Sequence, residues 1–401
     1  MGNKGNPGIE VFVRWVMVAS SLFILYTSGF VLLSALTQRS IHWVFMSVPI
    51  FLLFPMLGKD RGKITAIDYL LAAGALASGL YVAFTWESDP LRLAEPSVID
   101  TAMGLLMLVV VLEGSRRTIG MSLTVIALAF LAYAYLGPFV PGSLRHKGFD
   151  AVSLVSFLYS TTEGIFSLPM GTSATYIIIY VLFGSFLTQS GAGKLFVDLA
   201  HAATGRLRSG PAQTTILSNA LMGIISGSPV ANVVTTGAFA VPLMKETGYP
   251  MMTAAALLSV AATGSMFTPP IMGAGAFMIA DYLGVAYGEV VKAAVIPAAL
   301  FYLSLVIFAD VAAARAGLRS TRREDLPDWR RSLASRGHLL IPVIALVVFI
   351  VQGWSALKTA FWCIVLMLVL SWIKQETRMG FKKIVSALES GSRDNLVIAA
   401  A

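Results

Sequence analysis

Residues Ser209–Met244 read SGPAQTTILSNALMGIISGSPVANVVTTGAFAVPLM, a run without a charged side chain that Ser226-Gly227-Ser228-Pro229 interrupts at its middle. Each arm is roughly 15 residues, or about 22 Å as helix. A bilayer core is about 30 Å thick, so neither arm crosses it. The stretch 209–246 therefore reads as a re-entrant helical hairpin. Its tip would be non-helical backbone at membrane depth, tolerated only where it is buried in protein or lines a wet cavity.

A second irregular element follows at 250–284. Gly264-Ser265-Met266-Phe267-Thr268-Pro269-Pro270 divides two apolar halves. As one helix the segment would run about 52 Å, far too long, and as two full spans it is too short. A discontinuous helix fits, because Pro269 and Pro270 remove two backbone donors and push their predecessors out of helical geometry. The carbonyls left unpaired have the Ser265 and Thr268 hydroxyls beside them.

The whole chain supports a membrane reading. Of 401 residues, 57% are hydrophobic and 12% charged, with mean hydropathy +0.78, whereas soluble domains carry about 25% charged residues. This excludes a soluble enzyme, a nucleic-acid-binding domain and a disordered scaffold. Around the two irregular elements lie apolar runs at Val11–Thr37, Ile41–Leu57, Ala66–Trp86, Ser97–Leu112, Ile119–Leu136, Thr172–Gln189, Val290–Ala314, Leu339–Trp354 and Ala356–Ile373. No run alternates apolar with polar residues, so the expected fold is an all-α polytopic membrane protein rather than a β-barrel. No small-residue cleavage site follows the first span, so no cleavable signal is read.

Net charge +8 reflects basic residues gathered in loops rather than a polyanion partner. Lys59, Arg61 and Lys63 share one loop, and Arg116 and Arg117 follow two spans later. Between them, Glu87, Asp89 and Glu95 outnumber Arg92. Segment 315–336 carries seven Arg and three acids, and Lys374, Arg378, Lys382 and Lys383 repeat the basic signal. These loops place the N-terminus in the cytoplasm. Composition changes near residue 138, where Pro138, Pro141 and Gly142 fall together. The organisation expected is a group of plain helices over 1–137, a repeat over 150–314, a cytoplasmic Arg-rich loop over 315–336, connecting spans over 337–375 and a further repeat starting at 380–401.

Two broken elements in succession are characteristic of secondary-transporter binding sites. Unwound carbonyls suit a cation such as Na⁺, and half-helix N-termini suit an anionic substrate group. With no charge at either break, the expected site consists of backbone dipoles, Ser/Thr hydroxyls and Asn232, a neutral oxygen cage for a hard cation. Gly223, Gly237, Gly273 and Gly275, taken singly, read as helix-packing residues. Asp310 is expected to pair with the Arg-rich loop. Asp281 is open between a vestibule and an interfacial position. Glu163 reads as part of a solvated face, and Asp198 with His201 as part of an interfacial helix. The single Cys363 and the scattered His42, His146, His201 and His338 offer no disulfide and no transition-metal site. Gly191-Ala192-Gly193-Lys194 lacks the spacing of a nucleotide-binding loop, and no element carries a catalytic constellation, so no enzyme is expected.

The run Ser226–Pro242 (SGSPVANVVTTGAFAVP), followed by Met244-Lys245-Glu246-Thr247-Gly248-Tyr249, resembles the large membrane subunit of tripartite ATP-independent periplasmic (TRAP) transporters. Thr268-Pro269-Pro270 with Gly273, Ala280 and Gly284 resembles that family's proline-broken helix. The preceding helices look like a fused small subunit plus linker, the type associated with TAXI-type binding proteins. The resemblance implies an elevator-type, Na⁺-driven importer in the bacterial inner membrane. A periplasmic solute-binding protein would deliver an organic anion, a carboxylate, to it. By position, Ser226, Gly227, Ser228, Pro229 and Asn232 would form the substrate-binding hairpin tip. Gly264, Ser265, Thr268 and Pro269, with Ser228 and Asn232, would hold Na⁺.

Such permeases contain two inverted repeats, and this chain shows one complete set. Gly380-Phe381 and Ile384–Gly391 resemble Gly148-Phe149 and Val152–Gly164, an offset of 232 residues. The chain reaches Ala401 inside a new apolar run, so the second repeat is expected to be incomplete and the chain truncated. Rival readings are a carrier that needs no binding protein and a non-transporting membrane scaffold.

Overall fold

A computed structural model describes residues 7–56, 64–86, 95–318 and 327–400. The basic loop at Lys59, Arg61 and Lys63, the acidic loop at Glu87 and Asp89 with Arg92, the middle of the Arg-rich loop and Ala401 lie outside the described residues. Everything described is helix, turn or irregular backbone, with no strand among the described residues. Among the described residues, seven helical stretches are long and apolar enough to cross a membrane: Pro7–Gly29, Ala66–Thr85, Val98–Thr118, Met121–Phe139, Leu168–Gln189, Tyr287–Arg315 and Trp329–Val351.

In chain order the helices begin with α1 (Pro7–Gly29), α2 (Ala35–Leu53), α3 (Ala66–Thr85), α4 (Val98–Thr118) and α5 (Met121–Leu136). Next come α6 (Ala151–Ser160), α7 (Leu168–Thr172), α8 (Ile178–Gln189), α9 (Ala192–Thr204), α10 (Gly210–Ser226) and α11 (Pro229–Glu246). Then follow α12 (Met251–Thr263), α13 (Ala274–Leu283), α14 (Tyr287–Arg315) and α15 (Trp329–Arg336). The last are α16 (Ile341–Val351), α17 (Ala356–Ser371), α18 (Phe381–Asp394) and α19 (Leu396–Ala400). A π-helical turn, Ser173–Ile177, joins α7 to α8. The apolar run Val11–Thr37 is not one element: α1 stops at Gly29, and the Ser34 hydroxyl caps α2 by accepting the Thr37 N–H at 3.3 Å. A 27-residue run would make a helix of about 40 Å, longer than the core needs.

The chain divides into two compact units, Met1–Ile178 with Ser392–Ala401, and Ile179–Gly391. In the first unit, Trp43, Phe51, Met107, Val110, Tyr159 and Phe166 form a buried apolar cluster. The Tyr159 hydroxyl donates to the Ser78 carbonyl at 2.7 Å, so the polar end of this large ring is satisfied within the core. At one end of the cluster Arg117 is buried. Its guanidinium donates to Asp68 Oδ1 at 2.6 Å, to Glu113 Oε1 at 2.7 Å and to the Phe54 carbonyl at 3.1 Å. The Phe51 ring lies under it at 5.1 Å. Asp68 in turn accepts from the Thr65 N–H at 2.8 Å and the Thr65 hydroxyl at 2.9 Å, a reciprocal cap on α3. Thus Arg116 and Arg117 belong to the last turn of α4, beyond the apolar run ending at Leu112. Arg117 is a buried tie between α2, α3 and α4 rather than a loop charge.

A second polar cluster in this unit joins its two sequence segments. Asn395 Nδ2 lies 3.4 Å from Ser173 Oγ in the π turn and 3.5 Å from His42 Nε2 on α2. Ser21 and Ser392 share a hydrogen bond of 2.7 Å.

In the second unit, α10, α11, α12 and α14 surround a core that includes Ile216, Met244, Tyr249, Leu257 and Ala309. Asp310 on α14 pairs with Arg208 at 2.6 Å and accepts the Ser209 hydroxyl at 3.2 Å. The turn before α10 presents Arg208 to Asp310, whereas the part of the Arg-rich loop expected to pair with it, residues 319–326, lies outside the described residues. α9 carries both Asp198 and His201. Burial holds the His201 imidazole below its usual value, and the nearby Asp198 opposes that shift.

Removing one member of a buried ion pair leaves an uncompensated charge, which costs about 3–5 kcal/mol. Asp68→Asn is therefore expected to lower the thermal unfolding midpoint of the detergent-purified protein markedly. Lys292→Gln is expected to change it little, since the Lys292–Glu289 pair is solvent-exposed.

Candidate functional site

The run 209–246 folds as two antiparallel arms, α10 and α11, separated by Gly227 and Ser228. Gly227 ends α10 in the left-handed region at φ +57°, returning its N–H to the Gly223 carbonyl at 3.3 Å. Ser228 starts α11 by accepting the Ala231 N–H at 3.3 Å, and Pro229 occupies the first helical position, where no N–H is needed. The sequence -Ser-Gly-Ser-Pro- is thus a C-cap followed at once by an N-cap.

Between the arms runs a chain of buried polar side chains. Ser226 Oγ donates to Asn232 Oδ1 at 2.6 Å, and Asn232 Nδ2 donates to the Asn219 carbonyl at 3.4 Å. The Thr236 hydroxyl sits 2.6 Å from the Asn232 carbonyl and 3.0 Å from Asn219 Oδ1. Asn219, Asn232 and Thr236 are fully buried. Asn219 and Thr236 were not among the residues expected here. Their signal in the sequence is near-equal spacing on either side of Gly227-Ser228, which an antiparallel hairpin brings side by side.

The segment 250–284 is discontinuous. α12 ends at Thr263, a 3₁₀ turn covers Gly264–Met266, and α13 restarts at Ala274. The irregular stretch therefore extends to Gly273, three residues beyond the expected Pro270. Pro269 and Pro270, joined by a cis peptide, deprive the Ser265 and Met266 carbonyls of their helical donors. The Gly273 N–H replaces one of them, reaching the Met266 carbonyl at 2.7 Å. Within the break, Ser265 Oγ donates to the Ala262 carbonyl at 2.7 Å. Thr268 Oγ1 donates to the Gly264 carbonyl at 2.7 Å and lies 2.8 Å from the Tyr302 hydroxyl. A further tyrosine holds the far side: Tyr287 Oη lies 2.7 Å from the Pro270 carbonyl and 2.6 Å from the Ile271 carbonyl, one shared donor for two unpaired acceptors. Its ring stacks on Phe277 at 4.3 Å. Tyr287 and Tyr302 lie on α14, where nothing in the sequence marked them as partners of the break.

The hairpin and the break meet through glycines. A Cβ on Gly223 would stand 3.0 Å from Ser265 Cα and 3.3 Å from Thr268 Oγ1. A Cβ on Gly227 would overlap the Met272 carbonyl oxygen. The expected residues Ser226, Gly227, Ser228 and Gly264, Ser265, Thr268 are thereby set on facing elements, with Asn232 inside the hairpin. Gly223 has a packing role, as read, and here it sets the spacing of the two broken elements. Since the hydroxyl protons of Ser265 and Thr268 are committed to carbonyls, the groups these side chains can still offer a ligand are oxygen lone pairs. That electrostatic character suits a cation.

Membrane-length helices, a hairpin and a discontinuous helix packed against it describe a membrane transport protein. The chain belongs to the family described as "Tripartite ATP-independent periplasmic transporter, DctM component", whose model matches residues 106–401. It is thus a member of the TRAP large-subunit family, a family of multi-span transporters rather than enzymes. It is 29% identical over 208 residues to the C4-dicarboxylate TRAP transporter large permease protein DctM of Pseudomonas aeruginosa, covering 51% of this chain and 45% of that protein. The 2,3-diketo-L-gulonate TRAP transporter large permease protein YiaN of Escherichia coli is 26% identical over 170 residues, 42% of this chain and 39% of that protein. The isethionate TRAP transporter permease protein DctMQ of Oleidesulfovibrio alaskensis is 24% identical over 199 residues, 49% of this chain and 30% of that protein. The chain spans less than half the length of these relatives.

Two substitutions probe the geometry. Gly227→Ala forces a side chain into the left-handed region and into the Met272 carbonyl, so a stability loss well above about 1 kcal/mol is expected. Tyr287→Phe removes one oxygen and leaves two buried carbonyls unpaired, an expected loss of about 1–3 kcal/mol. Thermal unfolding in detergent measures both, and an unchanged midpoint for Tyr287→Phe would show that its hydroxyl does not hold the break.

Proposed function

We propose that the chain is the membrane permease of a Na⁺-coupled, binding-protein-dependent importer of organic anions, carboxylates above all. The observation that carries this reading is the uncharged, oxygen-rich contact between the hairpin tip and the helix break. Ser226, Gly227, Ser228, Pro229 and Asn232 form the substrate-facing tip in this reading. Ser228 and Asn232 join Gly264, Ser265, Thr268 and Pro269 in holding Na⁺. Short neutral oxygens and carbonyl dipoles replace the hydration shell of such an ion without fixing it too tightly to be released. Movement of the hairpin-bearing part, in the manner of an elevator, would carry ion and substrate together.

Further parts of the reading rest on likeness. The matched region starts at residue 106, leaving α1–α3 ahead of it, and one relative bears the printed name DctMQ. Both support a fused small and large subunit. The TAXI-type periplasmic solute-binding protein as delivering partner rests on the resemblance of the hairpin and the preceding helices. Placement in the bacterial inner membrane rests on the family likeness, and the cytoplasmic N-terminus on the loop charges.

Uptake of a labelled organic anion into proteoliposomes carrying the permease and its solute-binding protein tests the reading. Uptake should require an inward Na⁺ gradient and vanish when choline replaces Na⁺. Asn232→Ala and Ser228→Ala should raise the half-saturating Na⁺ concentration about tenfold. Uptake indifferent to Na⁺ removes the coupling, and an unchanged Na⁺ dependence in both variants removes these residues from the site.

A further inference from the structure

In the first unit, Met121–Phe139 is long and apolar enough to cross a membrane, and Thr124 is the one buried residue of α5. A helix that is apolar all round and so little covered by protein has lipid as its surroundings. Its 19 residues span about 28 Å as helix. Phe139 therefore falls at the edge of a hydrocarbon core about 30 Å thick. Arg116 and Arg117, in the last turn of α4, mark the other end of α5.

The segment 137–149 folds back onto the last turns of α5. The Tyr133 hydroxyl donates to the Leu144 carbonyl at 2.7 Å, and His146 Nε2 lies 3.1 Å from the Tyr133 carbonyl. The Gly148 N–H donates to His146 Nδ1 at 3.1 Å, and the Phe149 N–H donates to the Ala134 carbonyl at 3.1 Å. The His146 ring meets Tyr133 edge-on at 4.7 Å. Gly137 makes room for that ring, since a Cβ there would overlap it. The fold-back sets Phe149 level with Ala134, within one turn of the end of α5. Phe139, Leu144 and Phe149 are nevertheless 83%, 65% and 53% exposed. Apolar side chains held outward from a pinned segment at that depth match the boundary between acyl chains and headgroups.

The charges on the segment name the lipid. Both ring nitrogens of His146 are engaged inside the fold-back, which leaves Arg145 and Lys147 as the outward charges. Both are exposed, and neither forms an ion pair with a described residue. The nearby Asp150 is engaged in capping α6, accepting the Ser153 N–H at 2.9 Å. The rule that gathers basic residues on one side of a membrane accounts for Arg116 and Arg117, but not for a basic pair at the opposite end of α5. We propose that segment 137–149 binds anionic phospholipid headgroups, with Arg145 and Lys147 on the phosphate and Phe139, Leu144 and Phe149 in the acyl boundary beneath. A guanidinium grips phosphate oxygens in pairs, and an ammonium beside it adds a point charge. The hydrogen bonds of His146 and Tyr133 hold the segment in shape beforehand, so lipid binding has little ordering to do. The proposal requires that α5 spans a bilayer and is independent of the Na⁺ and cargo reading above.

A fluorophore attached at Ser143→Cys tests this in proteoliposomes of mixed phosphatidylcholine and phosphatidylglycerol, since the native Cys363 is buried. Quenching by phosphatidylglycerol with a doxyl-labelled chain is compared with quenching by doxyl-labelled phosphatidylcholine at the same mole fraction. Phosphatidylglycerol should quench as though enriched about threefold or more around the segment. Arg145→Gln with Lys147→Gln should abolish that enrichment and leave quenching by the phosphatidylcholine probe unchanged, which separates lost charge from lost folding. Exchanging the two charges, Arg145→Lys with Lys147→Arg, should keep the enrichment. Equal quenching by the two lipids beside the unaltered charges, or an enrichment that survives the double Gln variant, overturns the proposal. Quenching by aqueous iodide but by neither lipid probe also overturns it, and would assign the exposed side chains to a protein partner.

Discussion

Backbone groups that leave a helix within a membrane have no water to pair with, and each unsatisfied group costs several kcal/mol. The second unit is organised around that constraint. Pro269 and Pro270 open a gap in the hydrogen-bond ladder between α12 and α13, and the surrounding elements close most of it. The Gly273 N–H takes the Met266 carbonyl, and the Tyr287 hydroxyl bridges the Pro270 and Ile271 carbonyls. Tyr302 reaches Thr268 from the same long helix. One helix, α14, thus supports the break from two places along its length. Because the gap is braced, the oxygens that line it are held at fixed positions.

The hairpin meets the same constraint by different means. Its turn is only two residues long because Gly227 and Ser228 terminate and restart helices without an intervening loop. Its interior is held by side-chain amides and hydroxyls rather than charges, so Asn219, Asn232 and Thr236 satisfy one another in full burial. A network of this kind is stable only when every member is paired. The first unit, by contrast, buries formal charge: Arg117 lies between Asp68 and Glu113.

Much of this was legible from residue order. Helix length against bilayer thickness was enough to place both irregular elements, because each is the wrong length for a span and each contains residues that cannot continue a helix. The cap residues Ser226 through Pro229 were identifiable as a break, since Gly and Pro act locally. Asn219 and Thr236 were missed because their roles depend on the arms lying antiparallel in one register. Tyr287 and Tyr302 were missed for a stronger reason: Tyr302 sits in an apolar run whose periodicity says only that it is helix, and Tyr287 lies three residues ahead of that run with nothing local to mark it. Arg208, which pairs with Asp310, lies 102 residues before it, and nothing local in the sequence joins the two.

The sequence by itself determined the solvent, the helical class, the positions of the two breaks and, through the family pattern, the kind of transporter to which the chain belongs. Those properties follow from composition, lengths and residues whose backbone preferences act over a few positions. Only the tertiary structure decided which groups face one another: Gly223 and Gly227 against the break, Tyr287 on its carbonyls and Tyr302 on its Thr268 hydroxyl. Contacts between segments far apart in the chain depend on how helices pack, and packing is set by close approach of many side chains at once.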